Sequence, residues 1–392
     1  MRIVHVLAGS PHPNAANGVR RGVYALAAEQ AKLGDDVAIV YFSDRDSGTA
    51  GCGVSQRRFP SPRIPFVLPS GFLAEITSCR PDVLHLHQPY SPSNARIAGW
   101  ARRRSLPYVV TPHGALSPGE LSQRGFLKHP YKRLFELPIL NSAAFVQVLA
   151  PSERLEQYGV TAPLVQAPNG YNAAEIPDKL DSTRLEQAVP EVRGRRVYLF
   201  LGRLDPAQKG LDMLIQAAAQ SGLRNSALVL IGPDWRGGRK RLERMARGAS
   251  SNFPVRVLDS VYGQAKYELM AGADVFVHPS RWEGMPQAVL EAAALGLPTL
   301  LTPVADPWGR LAEQDAAWTV EANPGSIAKG LQRAGNAEDA QLREMGSRAR
   351  QTVFKEFHWR RAAEALREGY LRYALGPENV APELRPSNPQ SE

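Results

Sequence analysis

The sequence predicts an α/β protein of two Rossmann-like domains that face a cleft. Its 392 residues are too many for one hydrophobic core and suit two domains. Short apolar runs alternate with helical patterns in both halves, which is the order of parallel sheets covered by helices. Glycines and polar residues follow several of these runs. Because parallel sheets bind ligands at the carboxyl ends of their strands, these residues are the first candidates for a site.

The composition excludes several classes of protein. Only two cysteines are present, Cys52 and Cys79, which argues against a disulfide scaffold and for a reducing compartment. Residues 1–8 carry one basic residue and a short apolar run, which suits a first strand better than a signal peptide. No stretch approaches the ~18 consecutive apolar residues of a membrane span. We therefore expect a cytoplasmic protein without a membrane-spanning segment.

The positive charge is concentrated in the first half of the chain. Residues 1–170 contain 18 basic and 11 acidic residues, against 29 and 27 in the remainder. This excess indicates an anionic partner such as a membrane phospholipid or a lipid diphosphate, with a basic solubilising surface as the alternative. No nucleic-acid motif accompanies it, so we expect no nucleic-acid partner. Within residues 115–142, a basic and partly apolar segment could form an amphipathic face against an anionic membrane, or an ordinary surface helix. Its polar members are Arg124, Lys128, His129, Tyr131, Lys132 and Arg133.

The first half opens with a β-loop-α-β unit of Rossmann type. Its strands and helix are predicted at 2–8, 19–33 and 37–42. The loop of this unit lacks Gly-x-Gly-x-x-Gly, which argues against an oxidoreductase with a dinucleotide cofactor. Residues 43–72 are rich in Ser, Arg, Gly and Pro and predict a long loop. Asp44-Arg45-Asp46 within this loop is formally a metal-binding Asp-x-Asp, but a solvated turn is the preferred interpretation.

Four more strands complete the first half. They are predicted at 82–87, 107–111, 144–150 and 163–167. His85 and His87 share one face of their strand and could bind a metal. Because no clear third ligand is visible, we favour histidines that are satisfied by hydrogen bonds at the edge of the cleft. His113 follows the next strand in Thr111-Pro112-His113-Gly114, at the ligand-binding edge of the predicted sheet.

The second half repeats the pattern after a turn at Pro168-Asn169-Gly170-Tyr171. Residues 172–195 are polar and predict a linker. From Gly376 the chain is rich in Pro and Glu and predicts a disordered tail. The strands of this half are predicted at 197–201, 227–231, 255–258, 274–278 and 298–302, with helices at 211–221, 286–295 and over most of 326–375.

The stretch from Pro279 to Glu291 is the centre of the predicted site. It links a buried strand to a helix, so Glu283 lies in the loop at the helix N-terminus and Glu291 about one and a half turns inside. A helix N-terminus suits a diphosphate, and carboxylates on either side can accept hydrogen bonds from the hydroxyls of a nucleotide-sugar. Arg203 and Lys209 leave another strand and could neutralise the diphosphate. The alternative is a set of solvated glutamates and scattered surface cations.

Five motifs together point to one known family. They are Asn17-Gly18-Val19, Thr111-Pro112-His113-Gly114, Pro168-Asn169-Gly170, the run from Gly202 to Asp212, and Glu283-x7-Glu291. This set resembles the retaining glycosyltransferase family 4, which has the GT-B fold. Asp259 departs from the pattern, since family members usually have glycine there. The resemblance implies catalytic roles for His113, Arg203, Lys209 and Glu283. It also implies that Glu283 lies at the donor sugar and that Glu291 binds the ribose hydroxyls. The donor-binding residues that it implies are Gly18, Arg203, Lys209, Val261, Glu283, Gly284, Met285, Pro286 and Glu291.

The resemblance also implies a division of labour between the domains. Residues 1–168 would form the acceptor-binding domain, with the C-terminal helical segment 355–375 crossing back onto it. Residues 169–354 would bind the nucleotide-sugar, and 376–392 would be the disordered tail. The candidates for contact with the acceptor are His12, Asn14 and His87.

The function that we expect is transfer of a sugar, with retention at the anomeric carbon, from a nucleotide-sugar to a hydroxyl of a glycan or lipid-linked acceptor. No metal or other cofactor is expected, because cations and a helix N-terminus can neutralise the departing diphosphate. A nucleotide-sugar epimerase and a phosphorylase are alternatives on the same fold. A non-catalytic nucleotide- or glycan-binding protein is another, and an assay of donor hydrolysis separates it from an enzyme.

Overall fold

The chain forms two compact units, which are described separately. The computed structural model describes residues 1–13, 15, 17–44, 53–116, 130–171, 173–248 and 253–376. Within these residues, the first unit holds 1–116, 130–168 and 359–376, and the second holds 169–358. The predicted disordered tail therefore falls, beyond Gly376, outside the described residues.

The first unit is built on a parallel sheet, which among the described residues has seven strands in the order β3-β2-β1-β4-β5-β6-β7. The central strands are apolar and buried on both faces, as expected for a parallel sheet between helices. The strands are β1 Arg2–Ala8, β2 Asp36–Phe42, β3 Ser55–Phe59, β4 Val83–His87, β5 Tyr108–Thr111, β6 Phe145–Val148 and β7 Leu164–Gln166.

Helices cover both faces of this sheet. On one face, the C-terminal helix packs against the first helix, and its Trp359 and Leu366 share a core with Leu26. This C-terminal helix is therefore part of the first unit, as the predicted fold requires. The helices are α1 Gly18–Lys32, α2 Phe72–Ser78, α3 Pro92–Arg102 and α4 Leu137–Asn141, together with the C-terminal α13 Trp359–Gly369.

One strand of the first unit was not predicted. Ser55–Phe59 lies within the expected loop 43–72 and pairs in parallel with β2. Its sequence, Ser-Gln-Arg-Arg-Phe, lacks the apolar alternation of a half-buried strand, and its residues are largely exposed. An edge strand needs a neighbour on one side only, so polar residues are compatible with it.

The second unit has a parallel sheet of six strands among its described residues, in the order β10-β9-β8-β11-β12-β13. All of its neighbouring pairs are parallel. The last strand, Ala317–Thr319, was not predicted because it is short and borders the sheet. The strands are β8 Arg196–Leu201, β9 Ser226–Ile231, β10 Val255–Leu258, β11 Val275–His278, β12 Thr299–Leu301 and β13 Ala317–Thr319.

The helices of the second unit complete its core. Leu211, Leu214 and Ile327 pack together with the buried strand residues Tyr198 and Phe200. The expected linker 172–195 contains a short helix and 3₁₀ turns in its described part. None of the described helices in either unit has the length and apolarity needed to cross a bilayer. The helices are α5 Arg184–Ala188, α6 Leu211–Gln220, α7 Gly238–Arg247, α8 Gln264–Ala271, α9 Gln287–Leu295, α10 Arg310–Glu313, α11 Pro324–Gly335 and α12 Asp339–Glu356.

Candidate active site

Both sheets have a point where the strand order reverses, and the candidate residues lie there. In the second unit, the chain proceeds from β8 to one side and from β11 to the other, while β8 and β11 pair with each other. In the first unit the same reversal separates β1 from β4. Doubly wound sheets bind ligands outside the carboxyl ends of strands at such a point.

The helix α9 begins one residue later than predicted. Pro286 is extended, with φ −74° and ψ 111°, and caps the helix, which starts at Gln287. Gly296 ends the helix in the left-handed conformation, as expected. Glu291 therefore lies about one turn from the helix start, and Glu283 lies in the preceding loop.

Glu283 is a buried carboxylate with three donors on one oxygen. Its side chain is only 6% exposed. Oε1 accepts hydrogen bonds from Lys209 Nζ at 2.5 Å, Ser280 Oγ at 2.6 Å and His278 Nε2 at 3.0 Å. No hydrogen bond from a described residue reaches Oε2. Oε2 is thus the atom that can accept from a substrate hydroxyl.

The charge state of Glu283 follows from these partners. Burial alone would raise the pKa of Glu283, but the charge of Lys209 and the hydrogen bond from His278 outweigh it and hold the pKa well below its usual range. Burial lowers the pKa of His278, so its neutral ring donates from Nε2. The site therefore contains a fixed carboxylate beside a fixed ammonium group.

Arg203 and Lys209 lie on the loop that leaves β8. The guanidinium of Arg203 stacks on the Trp235 ring at 4.5 Å and donates to Gln208 at 2.8 Å. Gln208 in turn donates to the carbonyl oxygen of Trp282 at 3.4 Å. Their predicted role at a diphosphate stays a prediction, and Lys209 is in addition the ion-pair partner of Glu283. An ammonium group has three donors, so this pair leaves Lys209 able to contact a phosphate.

Two contacts hold the β8 loop against the β11 loop. Arg281 forms a bidentate pair with Asp212 at 2.8 and 3.1 Å and donates to the Ala207 carbonyl oxygen at 2.6 Å. Gly210 has φ +66°, and a side-chain carbon there would lie 2.1 Å from the Pro279 carbonyl oxygen. Only glycine fits at this position. The spacing between Lys209 and Glu283 is therefore set by a rigid pair of loops.

Glu291 forms a second buried ion pair. Its Oε1 lies 3.0 Å from Lys266 Nζ, and the two side chains are 2% and 6% exposed. Lys266 lies in the first turn of α8 and also contacts the face of the Tyr267 ring at 4.1 Å. A contact between Glu291 and ribose hydroxyls stays a prediction. The pair places a buried ammonium group beside the buried carboxylate of Glu291.

The remaining donor-binding candidates lie on the same loops. Val261 is half-buried and precedes α8, Gly284 is half-buried, and Met285 is 9% exposed. Asp259, the departure from the family pattern, is exposed and pairs with Arg239. Lys209 and Glu283 are in direct contact, and Arg203 is linked to the same loop through Gln208 and the Trp282 carbonyl oxygen. The roles of these residues and of the α9 N-terminus in binding stay predictions.

In the first unit, the predicted Gly18 is the first residue of α1. Asn17 caps this helix by accepting from the Val19 N–H at 2.8 Å. His12 is half-buried in the preceding loop, whereas Asn14 lies outside the described residues.

Arg20 was not predicted: its guanidinium packs over Gly9 directly after β1, and its Nε has no hydrogen-bond partner among the described residues. The sequence did contain a signal for Arg20, because it is a basic residue in the first turn of a helix that follows a central strand.

His87 and His113 are joined by a hydrogen bond. His87 Nδ1 lies 3.0 Å from His113 Nε2, and His87 Nε2 lies 2.9 Å from His5 Nδ1. His87 is 2% exposed. Its contact with an acceptor stays a prediction. His113 is half-buried and has φ +51°, a left-handed conformation that is uncommon outside glycine.

The Asp-x-Asp at Asp44 is only partly described. Asp44 accepts a hydrogen bond from the Ser61 N–H at 2.9 Å, and this bond lowers the pKa of the Asp44 carboxyl. Arg45 and Asp46 lie outside the described residues. So do Arg124, Lys128 and His129 of the basic segment.

The residues missed by sequence analysis support the predicted ones. His278, Ser280 and Lys266 hold the two glutamates in place. His278 and Ser280 flank the end of a buried strand, and a polar residue at that edge was a usable signal. Lys266 had no such signal, because its pairing with Glu291 joins two helices far apart in the sequence.

The buried histidines should make the first unit sensitive to mild acid. Burial lowers the pKa of His5 to about 4 and lowers those of His85 and His87 well below 6.5. Well above pH 6.5 these rings are neutral in both the folded and unfolded states, so they do not affect stability. Below pH 6.5 the unfolded chain binds protons that the folded chain does not, and stability falls by up to ~1.4 kcal/mol per pH unit for each histidine.

Urea unfolding between pH 7.5 and 5 measures this dependence. His85→Gln removes one titrating ring and should make the slope shallower by about one proton. Gln351→Asn, at an exposed position of α12, removes no titrating group and should leave the slope unchanged. A stability that is flat between pH 6.5 and 5 would contradict burial of neutral histidines.

Comparison with known proteins agrees with this geometry. Residues 16–175 match the family model described as Glycosyltransferase Family 4, and residues 195–336 match the model described as Glycosyl transferases group 1. The phosphatidyl-myo-inositol mannosyltransferases of Mycobacterium leprae and Mycolicibacterium smegmatis are each 31% identical, over 225 and 269 residues, or 56% and 67% of this chain. The matched regions span 54% and 64% of those relatives, so the chain corresponds to about half to two thirds of their length.

Solved structures support the same fold. The sucrose-phosphate synthase of Thermosynechococcus elongatus has a TM-score of 0.75 at 20% identity, covering 94% of this chain and 98% of that one. Anabaena Alr3699/HepE, solved with UDP and glucose, has a TM-score of 0.69 at 17% identity, covering 94% and 99%. At these identities the likeness concerns the fold alone. With the two family models, it shows that the chain belongs to the group 1 glycosyltransferases of family 4 and has the GT-B fold.

Proposed function

We propose that the protein transfers a sugar from a nucleoside-diphosphate sugar to an acceptor hydroxyl, with retention at the anomeric carbon. The observation that carries the proposal is the buried Lys209–Glu283 pair before α9, with Arg203 on the same loop as Lys209. This arrangement combines cations for a diphosphate with a carboxylate for a sugar hydroxyl. A nucleotide-binding protein without activity does not need a fixed carboxylate at that position.

The chemistry requires little of the protein beyond positioning and charge. The bond between the anomeric carbon and the diphosphate breaks, and negative charge develops on the leaving phosphate. Lys209, Arg203 and the N-terminus of α9 can stabilise this charge without reorganising. The acceptor oxygen bonds to the anomeric carbon on the face that the diphosphate leaves, and the departing phosphate oxygen takes the proton of the acceptor hydroxyl, so the anomeric configuration is preserved.

The sugar and acceptor are proposed by analogy. Two relatives are named as phosphatidyl-myo-inositol mannosyltransferases, and a structural neighbour was solved with UDP and glucose. We therefore propose a hexose donor and a glycan or lipid-linked acceptor, with the protein acting on the cytoplasmic side of the membrane. Biosynthesis of a polysaccharide or glycolipid would use such a step.

A thermal-shift screen of UDP, GDP, ADP and their sugars tests the proposal. A ligand that binds only the folded state raises its apparent stability, by about 2.7 kcal/mol at a hundred times the Kd. We expect one nucleoside diphosphate and one of its sugars to stabilise the protein. The stabilising sugar is then incubated with the protein, and release of the free nucleoside diphosphate is measured. Stabilisation without any release, with or without acceptor extracts, would favour a binding protein.

The reaction should not need a metal ion. The predicted diphosphate position is supplied with Lys209, Arg203 and helix N–H groups, which fulfil the role of a divalent cation. Turnover measured in EDTA should equal turnover without it. Loss of activity in EDTA with recovery on adding Mn²⁺ would contradict the proposal and direct attention to Asp44.

An exposed apolar surface in the first unit supports contact with a membrane. Its members come from two segments, Ile64 to Val67 and Leu134 to Phe135, joined where the Phe66 and Phe135 rings pack at 4.9 Å. Ile64 and Leu134 are 61% and 66% exposed. The basic Lys132 and Arg133 directly precede the second segment. Exposed apolar side chains beside basic ones favour binding to anionic lipid surfaces.

Liposome sedimentation tests the membrane proposal. The protein should bind phosphatidylcholine liposomes that contain phosphatidylglycerol at low salt and dissociate at high salt, because charges are screened over ~8 Å at physiological ionic strength. Leu134→Asp should weaken binding. Val304→Asp, an exposed apolar position in the second unit, is the matched control and should not. Equal binding to liposomes of phosphatidylcholine alone would remove the electrostatic argument.

A further inference from the structure

Eight polar side chains in the first unit form one continuous hydrogen-bond chain. It runs from the loop after β5, through the sheet, to the segment after α13 and back to the end of β7. Its members, in order, are His113, His87, His5, Gln30, Tyr370, His85, Thr111 and Gln147, and it ends at the carbonyl oxygen of Ala167.

The Ala167 carbonyl determines the direction of the chain. A carbonyl oxygen only accepts, so Gln147 Nε2 donates to it, at 2.8 Å, and Gln147 Oε1 accepts from Thr111 Oγ1 at 2.6 Å. Because the Thr111 hydroxyl has one proton, its oxygen accepts from His85 Nε2 at 2.6 Å. His85 Nδ1 then accepts from the Tyr370 hydroxyl, also at 2.6 Å.

The same reasoning continues from Tyr370 to His113. The Tyr370 oxygen accepts from Gln30 Nε2 at 3.3 Å, so Gln30 Oε1 accepts from His5 Nε2 at 2.7 Å. A neutral imidazole has one donor and one acceptor, so His5 Nδ1 accepts from His87 Nε2. His87 Nδ1 accepts from His113 Nε2 in turn. The proton of His113 is therefore on Nε2, and its Nδ1 carries a lone pair.

Neutral rings are required for this assignment, and the surroundings provide them. Burial lowers the pKa of His113 to about 3 and of His5 to about 4, and it lowers those of His85 and His87 well below 6.5. At neutral pH each ring therefore has a single proton. An isolated imidazole would exchange between two tautomers, whereas each ring here has one.

We propose that this chain fixes His113 as a hydrogen-bond acceptor for a substrate hydroxyl, with Tyr370, Gln30, His5 and His87 as positioning residues. The proposal rests on the proposed function, which supplies the hydroxyl-rich substrate. His113 follows β5, on a loop where its φ is +51° and its ring contacts His87. An acceptor with one tautomer orients the proton of the hydroxyl that it binds.

A metal site is the other interpretation of the histidines. His5, His85 and His87 each offer a ring nitrogen within 4.8 Å of the others. However, His5 Nδ1 and His87 Nε2 lie 2.9 Å apart, at hydrogen-bond distance. Two nitrogens that each lie about 2.0–2.1 Å from a tetrahedral zinc are farther apart than that. The ring nitrogens of all three histidines already have partners, which favours the hydrogen-bond chain.

Histidine tautomers can be measured directly in the unliganded protein. In ¹⁵N NMR of the full chain with labelled histidine rings at pH 7.5, His113 should show a protonated Nε2 and an unprotonated Nδ1. Tyr370→Phe removes the hydroxyl that links Gln30 to the part of the chain ending at the Ala167 carbonyl. The Gln30 amide can then rotate and exchange its donor and acceptor, so His113 should become a mixture of tautomers. Tyr108→Phe is the matched control, since Tyr108 is also buried and donates one hydrogen bond, to Ile139.

Turnover tests the functional half of the proposal. In the proposal, only His113 protonated on Nε2 supports sugar transfer. The ratio of the kcat of Tyr370→Phe to that of the wild type should therefore equal the fraction of His113 that keeps its proton on Nε2 in the variant. Affinity for the free nucleoside diphosphate should not change. A wild-type His113 protonated on Nδ1, an unchanged tautomer in Tyr370→Phe, or an unchanged kcat beside a mixed tautomer would each overturn the proposal. If instead the wild type transfers no sugar, the proposed function fails, while the NMR result still stands on its own.

Discussion

Replacing Lys209 with methionine should lower kcat by at least about a hundredfold, the scale of losing one preorganised charge at the reacting group. Methionine retains the length and apolar stem of lysine but not its charge. The variant removes a cation proposed to bind the leaving phosphate, and it leaves Glu283 in a buried site with His278 and Ser280 as its partners among the described residues. The pKa of Glu283 should then rise, because the charge of Lys209 is a main cause of its depression.

Steady-state kinetics with the stabilising donor measure this effect. Lys329→Met, at an exposed position in the same unit, is the matched control and should retain full activity. Arg203→Met should also lose activity, because it removes a guanidinium that Trp235 and Gln208 hold in place. Near-normal turnover in both Lys209→Met and Arg203→Met would show that the diphosphate does not bind at this loop.

The sequence was sufficient for the architecture because the central strands are apolar on both faces. Predicted strands such as 82–87 and 274–278 differ from the observed ones by one residue at an end. The two strands that were missed, Ser55–Phe59 and Ala317–Thr319, lie at sheet edges. Edge strands bury little surface, so selection for apolar residues is weak there, and pairing with a neighbour in space is not visible in a local pattern.

Site residues that lie within one strand-loop-helix unit could be predicted from the sequence. Contacts between segments that are distant in the sequence could not. Glu283 and Glu291 lie in one strand-loop-helix unit, and their places follow from its periodicity. The partner of Glu291 does not, because Lys266 comes from another helix. The tautomer proposed for His113 is still less visible in sequence, since the hydrogen-bond chain behind it includes Tyr370 near the other end of the sequence.

Glu283→Gln and Glu291→Gln should impair different steps of the reaction. Glu283 lies in the loop that the family resemblance places at the donor sugar, where charge and geometry change as the glycosidic bond breaks. An interaction that strengthens in the transition state acts on kcat, so Glu283→Gln should lower kcat about a hundredfold. Glu291 is predicted to bind ribose hydroxyls, which do not change during transfer. Its loss should mainly raise the KM for the donor, by roughly ten- to a hundredfold, since a hydrogen bond to a charged group contributes about 1.5–3 kcal/mol.

The buried ion pairs require a stability control. Breaking one partner of a buried pair costs about 3–5 kcal/mol, and both glutamates are partners of buried lysines. Thermal unfolding of each variant therefore comes first, and kinetics are measured where both are folded. Glu321→Gln, an exposed position in the same unit, makes the same chemical change without a buried partner and should alter neither stability nor kinetics.

Titration of the free nucleoside diphosphate distinguishes the two glutamates, because only one of the two replacements should weaken nucleotide binding. Glu283 holds a negative charge 2.5 Å from the ammonium of Lys209. Its replacement by glutamine removes that charge and leaves the whole positive charge of Lys209 to the phosphates, so calorimetry should show unchanged or tighter nucleotide binding although kcat has fallen. Glu291→Gln removes a ribose acceptor and should weaken the binding of the same nucleotide. The opposite result is weaker binding in Glu283→Gln and unchanged binding in Glu291→Gln. It would mean that the ribose lies at Glu283 and the transferred sugar at Glu291.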